Sequence, residues 1–174
     1  SMTRAPWVQA KPGRAWAKPG ETYDTSIGWR FPNPALVARD KATYSMPETA
    51  EEVARVDGIS REDADAFAVR SHARALAAIE AGRFAAETAA VPTPAGDVTV
   101  DEGPRPGTTA EVLAGLRPVV AGGSVVTAGN SSSLNDGASA IVVAGESAVA
   151  EHGLTPRARI VSSAAAALAP EIMG

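Results

Sequence analysis

The 174-residue chain contains no cysteine. That excludes a disulfide framework, a thiolate metal site and a cysteine nucleophile from these residues, and it suits a reducing compartment. Long apolar runs are missing as well. None approaches the ~18 residues of a membrane span, and the first residues lack the apolar core of a signal peptide. Charge of one sign is scarce. Charged residues make up 21% and the formal net charge is −4, with no continuous basic face. Neither nucleic acid nor a membrane is therefore an expected partner. Histidine is nearly absent, with two copies. His72 sits in a helical pattern, and His152 lies at a helix end, where a cation suits the dipole. Neither has the surroundings of a general base. No carboxylate pair recurs at a metal or glycosidase spacing, so no metal site is expected.

What is present begins with punctuation. Residues 1–42 hold two Pro-Gly turns in "KPGRAWAKPGETYD" and two more prolines in "GWRFPNPA", which keep the chain extended or turned. Trp7, Trp16, Trp29 and Phe31 fall in this stretch, so an irregular segment packed against something is expected rather than a disordered linker. Two helices follow. In "TAEEVARV", Thr49 and Glu52 have the spacing of a capping box, Ala50, Val53, Ala54 and Val56 form an apolar face, and Gly58 stops the helix. The next helix is predicted to run unbroken over 60–81. Ser60 is its N-cap, acids including Asp63 and Asp65 occupy its first turns, and Gly82 follows its end. Phe67, Leu76 and Ile79 make its apolar stripe.

Further on, a strand is expected at 97–100, a short helix in "TAEVLAGLRPVV" stopped by Pro118, and one or two helical turns in "ESAVAEHG" closed by Gly153. The strongest strand signals come late. "ASAIVVA" at 138–144 is apolar throughout, as in a strand buried on both faces, and "RARIVSS" alternates. Such strands are too few to close a sheet, which points to part of a larger layered structure.

Directly before "ASAIVV" stands a polar loop, in the sequence "VTAGNSSSLNDGASAIVV". Serine and asparagine bond to nearby backbone and favour turns, with Asn135 and Asp136 placed to cap one. This loop resembles the thiolase signature T-A-G-N-x-S-x-L-N-D-G-A, which precedes a core strand. Other segments resemble the same family in the same order: "SMTRAP", "YSMPETAEEVARVDGISREDADAFAVRSHARALAAIEAGRFAAE", "DEGPRPGTTAEVLAGLRPVV" and "PRARIVSSAAAALAPEIMG". "DTSIGWRFPNP" is similar to the β-ketoadipyl-CoA branch of aromatic-acid catabolism.

The resemblance implies an α/β fold, thiolase-like and partial. A helical loop domain at 1–127 would cover the active site and bind coenzyme A. Residues 128–153 would end the N-terminal core half, and 154–174 would begin the C-terminal one. It further implies thiolytic cleavage of a 3-oxoacyl-CoA, 3-oxoadipyl-CoA in the branch named, by an oligomeric (dimeric or tetrameric) cytoplasmic enzyme. Coenzyme A would be a substrate, with no permanently bound cofactor. The alternatives are a general acetyl-CoA acetyltransferase or a non-catalytic module that binds coenzyme A or a partner subunit. The family's nucleophilic cysteine precedes the segment like "SMTRAP", and its Asn-Glu-x-Phe-Ala, Gly-His-Pro and Cys-x-Gly motifs follow the one like "PEIMG". None occurs here, so no catalytic residue is expected in this chain and it is expected to be inactive alone.

By the same resemblance, Arg105, Val120, Ala128, Ser132 and Leu134 would contact coenzyme A. Arg105 lies near the phosphates, for which a guanidinium is suited, and Val120 near the adenine. Ser132 bonds the pantetheine arm. Met46, with Ser45 before it, would line the acyl pocket. Taken without the resemblance, the serine would satisfy its own turn, the arginine would be solvated and the methionine would fill a core.

Overall fold

A computed structural model describes residues 4–173, which form two compact units. One consists of the residues up to Pro32 with Leu134–Ala169, the other of Asn33–Ser133 with the residues from Pro170. The "SMTRAP" match falls partly on residues 1–3, outside the described residues.

In the first unit, strands β1 (Trp7–Gln9) and β2 (Thr22–Asp24) pair antiparallel with Val8 opposite Tyr23. Thr25 Oγ1 donates to the Pro6 carbonyl at 2.5 Å, and the Arg30 guanidinium donates to the carbonyls of Asp24, Ile27 and Trp29. A basic fork thus gathers a turn whose backbone has no ladder partner. Tyr23 and Phe31 meet edge to face at 5.5 Å. Beyond that contact the expected packing is not found: Trp7, Trp16, Trp29 and Phe31 are all exposed, Trp16 fully. The described residues supply no surface that covers them.

The same holds for the late strands. Residues 138–144 and 157–163 form no strand, and Ile141, Val142, Ile160 and Val161 are 84%, 89%, 79% and 88% exposed. An apolar run becomes a strand only where a neighbouring strand takes its N–H and C=O groups, and no described strand pairs with either run. A helix at Glu146–Glu151 does form, with His152 at its C-cap and Gly153 following at φ 60°.

The second unit holds the helices. After a single turn α1 (Pro34–Val37), capped by Asn33, helix α2 spans Met46–Asp57 and α3 spans Arg61–Glu80. Ser45, not Thr49, begins α2. Its Oγ accepts from the Glu48 N–H while the Glu48 carboxylate accepts from the Ser45 N–H at 2.7 Å. Pro47 favours a start here, because its missing N–H costs nothing in a first turn. Thr49 lies within the helix and is buried, as is Ala54, whereas Ala50 and Val56 face outward. Gly58 ends α2 at φ 67°, in the left-handed region that glycine enters at least cost.

Helix α3 is unbroken, with Ser60 Oγ accepting from the Asp63 N–H and Ala81 at its C-cap. Its buried residues are Asp65 and Ala68. Phe67 is exposed, with the Arg70 guanidinium 5.1 Å from its ring centre, a cation–π contact in place of the expected core packing. The strand expected at 97–100 lies earlier, in a hairpin of β3 (Val91–Thr93) and β4 (Gly96–Val98). Helix α4 (Ala110–Ala114) ends at Gly115, before Pro118. It packs on α3, and a 3-10 turn at Pro170–Ile172 packs on α2. The core between these elements is small: Ala42, Ala54, Ala68, Leu113 and Val126, with Thr49, Asp65 and Thr127 buried beside them.

Candidate functional site

The polar loop is held from two sides. Glu51, on α2, extends its carboxylate to three successive backbone N–H groups: Ser124 donates at 3.0 Å, Val125 at 2.9 Å and Val126 at 2.7 Å. Burial pushes its acidity toward the neutral form, but the bonds from Val126, Ser124 and Val125 outweigh this, and the net effect holds Glu51 below the ordinary glutamate range. Gly123 makes room for the arrangement. A β carbon at that position would lie 2.6 Å from the Glu51 carboxylate oxygen.

The second anchor is on α3. Arg61 Nε donates to Asp65 at 2.7 Å, one turn along, and its Nη2 donates to the Leu113 and Leu116 carbonyls at the end of α4. Asp65 is 4% exposed. Its other oxygen accepts from the Asn130 amide at 2.9 Å; that amide also donates to the Val125 carbonyl, and Asn130 Oδ1 accepts from the Thr127 N–H. Asp65 is thus a buried hub, where the sequence suggested only an N-terminal helix acid. Thr127 is fully buried, and a bridge joins its strand-like segment to Pro118, with the Val119 N–H donating to the Val126 carbonyl. Gly129 fits against the Leu113 and Leu116 side chains, where no β carbon would fit unless those side chains moved.

The residues singled out by sequence are distributed around this frame. Ala128 and Ser132 lie on the anchored loop and its continuation, both exposed. Val120 lines a cleft of about 430 Å³ together with Tyr44, Glu48, Glu51, Arg55 and Ser124. Ser45 caps α2, and Met46 opens it with 56% of its surface exposed. Arg105 is exposed and forms no ion pair among the described residues, while its backbone N–H donates to His72 Nδ1 at 3.1 Å. Leu134 belongs to the first unit and is exposed there. Sequence reasoning missed the parts played by Glu51, Arg61, Asn130 and His72; each is an ordinary helix or loop residue until its distant partner is known.

Beside this frame, Glu52 accepts from Lys41 at 3.0 Å and from Arg55 at 2.6 Å. The bonds from Arg55 and then Lys41 bring its pKa down to about 2 from the ordinary 4.5. Glu48 is lowered as well, chiefly by its bonds with Ser45. The stability Glu52 adds is fully present above pH 4.5 and is lost as pH falls toward about 2. Urea melts across that interval should show a steepening loss that Glu52→Gln flattens; identical pH profiles for the two proteins would refute it.

The loop carrying T-A-G-N-x-S is thus pinned by one carboxylate from each of two helices and is followed by exposed serines. A family model described as the thiolase N-terminal domain matches residues 1–147. The chain belongs to the thiolase family. The beta-ketoadipyl-CoA thiolase of Pseudomonas aeruginosa is 50% identical over 178 residues, covering 100% of this chain and 44% of that protein. The crystal structure of the Bacillus anthracis acetyl-CoA acetyltransferase matches with a TM-score of 0.72 at 37% identity, over 99% of this chain and 43% of that one. Human mitochondrial 3-ketoacyl-CoA thiolase, solved in complex with CoA, matches with a TM-score of 0.59 at 30% identity, over 89% of this chain and 38% of that one. The chain therefore spans less than half the length of the thiolases it matches, and its fold is a partial α/β thiolase-like one.

Proposed function

We propose that this chain is the coenzyme A-binding, site-covering part of a thiolase whose complete form cleaves 3-oxoadipyl-CoA with coenzyme A to acetyl-CoA and succinyl-CoA. The observation that carries the proposal is the anchored loop at 124–130, which is fixed by Glu51 and Asp65 and leads into exposed Ser131–Ser133. A pantetheine arm brings two amides into a narrow channel, and leaving a buried amide unpaired costs about 1–3 kcal/mol. A loop tied at both ends and followed by exposed Ser131 and Ser132 supports that reading. The acyl class is supported by 50% identity to a beta-ketoadipyl-CoA thiolase along the whole chain and by the "DTSIGWRFPNP" segment.

In this proposal residues 1–127 form the loop domain, 128–153 end the first core half and 154–174 begin the second. Arg105 faces the phosphates of coenzyme A and Val120 its adenine. Ala128, Ser132 and Leu134 line the pantetheine path, and Ser45 and Met46 the acyl pocket. The chemistry belongs to residues beyond this chain. A cysteine thiolate adds to the 3-keto carbon, the C2–C3 bond breaks, and acetyl-CoA leaves once its carbanion is protonated. The thiol of a second coenzyme A then takes the acyl group and frees the thiolate. The complete enzyme acts as a cytoplasmic homo-oligomer.

Thiolysis assays of the full-length enzyme on 3-oxoadipyl-CoA and acetoacetyl-CoA test the acyl class. A preference for acetoacetyl-CoA would assign the chain to a general acetyl-CoA acetyltransferase instead. Ser132→Ala should raise KM for coenzyme A roughly three- to tenfold, the value of one hydrogen bond. Its kcat should hold, because the serine binds ground and transition states alike. A large fall in kcat at constant KM would contradict that role.

A further inference from the structure

We propose that Glu51 is a positioning residue for coenzyme A: its carboxylate, seated on the N–H groups of 124–126, sets the path of the loop that presents Ala128 and Ser132. The inference rests on the coenzyme A reading above and deepens it. Three features of the site support it. Successive N–H groups pointing into one concavity make an anion-binding nest, and here the anion is supplied by the protein's own helix α2. The seat is matched to its occupant, since Gly123 leaves the space that the carboxylate oxygen fills. The downstream end of the same segment is fixed independently by Asn130, through Asp65 and Thr127. The span 124–130 is thus tied at both ends to helices α2 and α3, and Ser132 lies two residues past the second tie. Releasing the first tie leaves the loop attached at Asn130 and through the Val119–Val126 bond, but frees the approach at 124–125 to shift. Ligand contacts depend on hydrogen-bond distances and angles, and such a shift lengthens or misaligns them.

The test is made in the full-length thiolase that carries this sequence, with Glu51→Ala as the first variant. Its KM for coenzyme A should rise about tenfold or more while kcat stays within about twofold, the pattern of lost uniform binding. Amide exchange should quicken at Val125 and Val126. Formate, small enough to enter the vacated nest, should restore KM, whereas chloride at equal ionic strength should not. If Glu51→Ala does not fold, Gly123→Ala displaces the carboxylate without removing it and should raise KM in the same way. A folded Glu51→Ala or Gly123→Ala protein with unchanged KM overturns the inference, as does a parallel loss of kcat and melting temperature that formate leaves untouched. Failure of the unmodified enzyme to saturate with coenzyme A would instead overturn the reading beneath it, and amide exchange would still show whether Glu51 holds the loop.

Discussion

Asp65→Ala is expected to lower the unfolding free energy by about 3–5 kcal/mol, as removal of one partner from a buried ion pair does. Asp65 is 4% exposed and takes hydrogen bonds from both Arg61 and Asn130. Without it the Arg61 guanidinium, whose side chain is 17% exposed, keeps its bonds to the Leu113 and Leu116 carbonyls but loses its ion-pair partner, leaving the more distant Glu51 carboxylate as counter-charge. The Asn130 amide keeps the Val125 carbonyl and loses its tie to α3. Asp65→Asn should cost less, because an amide oxygen can still accept from Asn130. Urea melts followed by circular dichroism give the comparison. A loss below about 1 kcal/mol in Asp65→Ala, within the range of a surface ion pair, would mean that the α4 carbonyls alone satisfy Arg61.

The second large effect concerns a segment that does nothing visible here. Ile141→Lys should leave the melting of the 174-residue chain unmoved, since Ile141 is 84% exposed. In the full-length enzyme, where 138–144 is proposed to be a core strand, the same change would bury an ammonium and cost several kcal/mol, a large share of a typical stability of about 5–15 kcal/mol. Soluble yield and thermal melting of both proteins would be measured side by side. Equal tolerance in the two contexts would remove the core-strand proposal for this segment.

These two residues also mark how far the sequence could be read. Local rules located the helices: the Ser60 N-cap, Gly58 and a continuous α3 all follow from contacts within a few residues. They still misplaced one start, because Ser45–Glu48 and Thr49–Glu52 satisfy the same capping pattern and only Pro47 distinguishes them. Burial was harder. Phe67 belongs to an apolar stripe by spacing, yet α3 turns Asp65 and Ala68 inward toward a small core. The polar loop was recognisable from its motif, but its anchors were not. Glu51 and its three donors lie more than seventy positions apart, separations of 73, 74 and 75, and no periodicity links a helix residue to a loop at that distance. The late strands failed for a different reason. Their composition is strand-like, but a strand is a relation between two segments, and the described residues hold one side of it.

The packing of the Pro170–Ile172 turn on α2 has a consequence for the order of events during synthesis. Helix α2 is complete once Asp57 has been added, whereas the turn that covers part of it is encoded far downstream. At about 5–20 residues per second, the interval between the two is roughly 6–23 s. Throughout that time the nascent α2 segment lacks one of its folded-state neighbours. Slow codons between the two segments would lengthen the exposure, and a rearranged gene that placed 170–172 ahead of Asn33 would remove it.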